Sequence, residues 1–105
     1  VILVLYPNSD LRTAKIRPAV VVQANNLQTG LPQVVAAMVT SKLFRAGHPS
    51  RVTISMSREK QSGLLSDSVV MTDNLATILH TGVERVIGSV PMNEIDTALR
   101  HTLSI

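Results

Sequence analysis

The sequence predicts a mainly β protein: a small, strongly bent antiparallel sheet or barrel closed by one C-terminal helix. Three observations carry this. Short apolar runs rich in β-branched residues recur through residues 1–90, each ended by Pro, Gly, Asn, Asp, Ser or Thr. No helical stretch separates them, so parallel crossovers have nowhere to form. The period changes only in the tail, where Met92, Ile95, Leu99 and Leu103 fall three and four apart, as on one helix face.

In chain order, residues 1–6 read as a strand ended by the turn residues of "PNSD". A polar, cationic loop follows, then a second strand over 19–23. Pro18 stands at its start, where a missing N–H is tolerated. Residues 34–39 are too short for an independent helix and read better as the third strand, although Ala36, Ala37 and Met38 also admit a helix. Residues 42–50 are loop. Residues 51–55 alternate polar and apolar positions, with Val52 and Ile54 inward. A polar segment with Gly63 leads to strands at 68–71 and 76–79, joined by a turn at Asp73 and Asn74. A last strand covers 85–90, and Pro91 suits the first turn of the terminal helix.

The 105 residues fit one domain, 1–105, with one core. Hydrophobic residues make up 45% and charged residues 16%, which excludes a wholly disordered chain. With one Tyr, one Phe and no Trp, the core must be aliphatic, and recognition by aromatic stacking is nearly excluded. The absence of cysteine rules out disulfides and thiolate metal sites and suits a reducing cytoplasm. No apolar run is long enough to span a membrane. The net charge of +3 leans toward an anionic partner.

Most chemical motifs are missing. There is neither a Gly-rich phosphate loop nor a nucleophile elbow. His48, His80 and His101 lack ligand spacing and read as surface residues. Asp10, Asp67, Asp73, Glu84 and Asp96 form no acid–base pair in sequence, and the four methionines read as core filler. One stretch stands out: in "KIRPAVVV", Pro18 holds Arg17 in extended geometry at the mouth of an apolar strand. By itself this is also what a solvated rim cation looks like.

Five segments, in order and over nearly the whole length, resemble PemK/MazF-type toxins. These are "VILVLYPNSD", "IRPAVVVQANN", "VVAAMVTSK", "GLLSDSVVMTDNLATI" and "MNEIDTALRHTLSI". The resemblance implies an SH3-like barrel with a C-terminal helix, usually a homodimer, acting in the cytoplasm as the toxin of a type II toxin–antitoxin pair. It also implies endoribonuclease activity on single-stranded RNA, often mRNA, at short sequences. Such cleavage leaves 2′,3′-cyclic phosphate and 5′-hydroxyl ends and needs no metal or other cofactor. An acidic antitoxin tail would be the protein partner, and no membrane is involved.

The resemblance assigns catalysis to Arg17 and Thr40. Arg17 suits phosphate because an arginine fork offers several donors to its oxygens. Thr40 could bond a non-bridging oxygen or the 2′-hydroxyl, with Ser41 assisting; otherwise the two simply bond local backbone. Arg12, Lys15 and Lys42 are candidate phosphate contacts, and Asn25, Asn26 and Gln28 could read base edges. Asp73 keeps an acidic family position, assigned to substrate. The chain departs from an Arg-x-Asp pair used by some members, since Met71 replaces the arginine and the early loop, with Ser9 and Asp10, lacks a histidine. Ala76 replaces the arginine of an Arg-Thr-Ile segment. These departures leave open a degenerate member that binds RNA or protein without cutting, or a CcdB-like gyrase poison.

Overall fold

The computed structural model describes residues 1–7, 10, 12–24 and 28–105. Six strands form one antiparallel sheet: β1 Ile2–Pro7, β2 Ala14–Val21, β3 Gln33–Thr40, β4 Arg51–Ile54, β5 Ser68–Leu79 and β6 Val83–Val86. Their order across the sheet is β4-β5-β3-β2-β1-β6, and α1, Asn93–Leu103, follows. Short 3-10 turns occur at Leu43–Arg45, Lys60–Ser62 and His80–Gly82.

The sheet is curled. The Tyr6 hydroxyl of β1 donates to the Asn74 carbonyl of β5 at 2.6 Å, although β2 and β3 lie between these strands in the ladder. Alternation along each strand then produces two cores. Val4, Tyr6, Ala19, Ala36, Met38, Val69 and Met71 fill the concave side. Val20, Ala37, Val39, Val52, Ile54 and Val70 face the other side, where Ile95 and Ala98 of α1 cover them. This explains why β3 is buried on both faces from Ala36 to Val39. Complete burial of Ile95 stabilises the helix docking by roughly 1.5–3 kcal/mol.

Several expected boundaries change. Strand β2 begins at Ala14 rather than at residue 19, because the cationic segment pairs with β1: Lys15 lies opposite Tyr6, Arg17 opposite Val4 and Pro18 opposite Leu3. Residues 68–79 form one strand, not two around a turn. The irregularity is real but takes the form of a bulge: Met38 pairs with Met71 and Ala37 with Leu75, so Thr72, Asp73 and Asn74 bulge out of the ladder. All three are used, since Thr72 bonds the Ser50 carbonyl at 2.6 Å, Asp73 binds Arg51 and Asn74 receives Tyr6. Finally, α1 starts after Met92, so Pro91 precedes the helix, and β6 ends at Val86. On the helix, Ile95 and Ala98 are buried while Leu103 is exposed, so the buried stripe ends before the last turn.

Candidate active site

Proline has no N–H to contribute to a ladder. The β2–β3 rungs stop at the residue after Pro18, with Ala19 opposite Met38. Two residues farther along each strand, Arg17 and Thr40 hold corresponding positions. Alternation puts both on the side of Val4 and Val69, their partners on the outer strands. Beyond the last rung a groove of about 390 Å³ opens, lined by Arg17, Thr40, Ser41 and Lys42.

The far wall comes from distant sequence. Gly63, Leu64, Leu65, Ser66 and Ser68 approach from the segment before β5, and Arg85 and Ile87 from β6 and beyond. Leu3, Ile16, Pro18 and Val39 complete the lining. Gly63 is required there. Its φ is +75°, and a Cβ would fall 2.0 Å from the Ile87 carbonyl oxygen. Among the described lining residues three are cationic and none is acidic.

Arg17 is half-buried and its Nε is shielded from solvent. Its charge reaches Tyr6. Burial pushes the Tyr6 phenol up to about 12, against smaller opposing effects from the Met38 backbone and the positive charge of Arg17. Thr40 Oγ1 accepts the Lys42 N–H at 3.2 Å. This is the local backbone bond that strand-end threonines commonly make, and it leaves the Thr40 O–H free to donate.

The other candidates lie elsewhere. Arg12 is exposed in a turn where Asp10 accepts its N–H at 2.9 Å and that of Thr13 at 3.1 Å, which holds the Asp10 carboxyl below its ordinary range. Lys15 is exposed on β2; neither cation lines the groove. Gln28 borders a different hollow beside His80. Ser9, Asn25 and Asn26 lie outside the described residues.

Asp73 is engaged on another face. Arg51 grips it with Nη2–Oδ2 at 2.9 Å and Nε–Oδ1 at 3.4 Å. The hydrogen bond from Arg51 holds its carboxyl below the usual range. Arg51 sits directly opposite Met71 in the β4–β5 ladder. The guanidinium that Met71 does not supply two residues before Asp73 thus arrives from the neighbouring strand. Arg45 Nη1 rests against the Met71 sulfur at 3.6 Å. His48 and His101, far apart in sequence, meet edge-on with ring centroids 6.0 Å apart.

Arg51 and Arg85 were not among the sequence candidates. No local pattern marks them, because each gains its position through strand pairing across the chain. Among the described residues, no helix is long and apolar enough to cross a membrane and no cluster of three potential metal ligands occurs.

Comparison with known proteins matches residues 1–103 to the family described as PemK-like, MazF-like toxin of type II toxin–antitoxin systems. No curated protein matches. Among solved structures, the Mycobacterium tuberculosis toxin MazF-mt6 is similar with a TM-score of 0.73 at 20% identity, covering 100% of this chain and 98% of its own. An endoribonuclease from a mycobacterial species gives 0.70 at 27% identity, covering 86% and 82%. A mycobacterial endoribonuclease solved in complex with its cognate antitoxin gives 0.73 at 25%, covering 98% and 92%.

Proposed function

The chain belongs to the PemK-like, MazF-like toxin family of type II toxin–antitoxin systems, and from that premise we propose that it is an endoribonuclease that cuts single-stranded RNA in the Arg17–Thr40 groove. The observation that carries this reading is the matched placement of Arg17 and Thr40 at the mouth of one cationic groove.

The reaction is an internal transesterification. The 2′-oxygen forms a bond to phosphorus as the bond to the 5′-oxygen breaks. One proton leaves the 2′-hydroxyl and one joins the departing 5′-oxygen, giving a 2′,3′-cyclic phosphate and a 5′-hydroxyl. Charge grows on the non-bridging oxygens, where the Arg17 guanidinium and the Thr40 hydroxyl donate. Ser41 and Lys42 hold the flanking backbone. The residues act as one toxin domain, 1–105, in a homodimer whose groove an acidic antitoxin tail blocks.

The test is incubation of a long single-stranded RNA with the wild-type protein in EDTA, followed by mapping of the ends. Cuts at short, defined sequences with 5′-hydroxyl ends are expected. Retained RNA binding without any cut would favour the degenerate reading, which gains support from the placement of Asp73 outside the groove and in the grip of Arg51.

A further inference from the structure

Arg85 belongs to no recognised motif, yet β6 delivers it to the same groove as Arg17 and Lys42. It lies opposite Leu3 on the edge strand and is exposed. Neither Lys42 nor Arg85 forms a salt bridge with a described carboxylate. Glu84, its neighbour, is absent from the lining. In the same lining, Leu65 is 99% exposed. Single exposed leucines are ordinary, but this one stands on the lip of a groove whose walls include Ile16, itself 56% exposed, and Leu3.

We propose that this part of the groove is a nucleotide subsite, in which Arg85 holds a backbone phosphate and Leu65 covers the face of an unstacked base. The inference rests on the groove being an RNA site. Three cations spread along one lining, with no described acidic residue among them, complement a chain of regularly spaced phosphates. The exposed Ser41 and Ser66 hydroxyls in the same lining suit polar base edges or a 2′-hydroxyl. With no aromatic residue in the lining, the base meets an aliphatic surface.

The test measures binding of a fluorescent single-stranded RNA across a salt series for wild type, Arg85→Gln, Leu65→Ser and Arg58→Gln. Arg58 carries the same charge but borders a different hollow, with Glu59 and Glu94. Losing one phosphate contact lowers the salt slope by about 0.7 for a single strand. Arg85→Gln should do this and weaken binding about fivefold, with the loss in cleavage appearing in KM rather than kcat. Leu65→Ser should weaken binding about threefold or more at unchanged slope, as loss of an apolar contact does. Arg58→Gln should match wild type.

An Arg85→Gln slope equal to that of wild type, or a loss no larger than that of Arg58→Gln, overturns the proposal. So does failure of the wild type to bind RNA, or Arg85-dependent binding of an acidic peptide without Arg85-dependent binding of RNA. An Arg85-dependent slope in a protein that never cuts would support the subsite while defeating the nuclease reading, so the two failures are distinguishable.

Discussion

Arg17 and Thr40 occupy corresponding positions on neighbouring strands, two residues beyond the last rung, Ala19–Met38, that joins them. The proline between Arg17 and that rung has no N–H to extend the ladder. The same residue therefore restricts Arg17 to extended backbone and stands where the two strands cease to pair. A groove between strand ends is a natural place for a phosphate, because donors on both strands can reach it while the sheet behind them stays rigid.

The groove's far wall depends on Gly63. Gly63→Ala is expected to lower stability by about 2 kcal/mol or more, since it adds left-handed strain and a collision with the Ile87 backbone. For a domain of this size that is a Tm loss of roughly 10 °C. Gly47 also has positive φ, +85°, but a Cβ there meets nothing within 4 Å. Gly47→Ala should therefore cost only about half as much. Equal Tm losses in the two variants would remove the argument for close approach.

Tyr6 sets an alkaline limit. Its phenol is pushed up to about 12 by burial, above its ordinary value of 10.0. A raised phenol pKa favours the neutral form in the folded state. The stabilisation is thus complete below pH 10 and is lost as pH rises toward about 12, amounting to roughly 2–3 kcal/mol. Denaturant titrations across that range should show this alkaline decline, and Tyr6→Phe should flatten it while removing the bond to Asn74. A decline of the same depth in Tyr6→Phe would contradict this role.

The Arg51–Asp73 pair sets a weaker acid limit. Asp73 is depressed, so its contribution is present above the ordinary carboxylate pKa and disappears as pH falls through the lower folded value. Arg51→Ala should lower Tm slightly at neutral pH, as single partly exposed pairs do, with the difference from wild type vanishing in acid. NMR titration of the Asp73 carboxyl should move upward in the variant. An unmoved titration would show that Arg51 is not what holds it.

The alternation of Val52 and Ile54, the turn residues between runs and the tail period are local signals, and they made the β-rich fold with a terminal helix legible in the sequence. The bulge was not legible as such. Asp73 and Asn74 are strong turn formers, and only the pairing of Ala37 with Leu75 and Met38 with Met71 shows that one strand runs through them. Arg17, Thr40, Ser41 and Lys42 were legible because they sit on short, recognisable segments. Arg85 and the Arg51–Asp73 pair were not, since their positions arise from strand register across the sheet. Arg12 and Lys15 look like groove cations in sequence, but the early start of β2 pairs Lys15 with Tyr6 and leaves Arg12 in the preceding turn.

A double-mutant cycle on single-turnover RNA cleavage tests whether Arg17 and Thr40 act on one phosphate, as proposed. Arg17→Ala and Thr40→Val should each lower the cleavage rate by about 10²–10³, the usual loss for a preorganised oxyanion donor. The double variant should lose far less than the product of the two, because the second donor contributes little once the first is gone. Wild-type cleavage by Arg17→Ala, or strictly multiplicative losses in the double variant, would contradict the proposal.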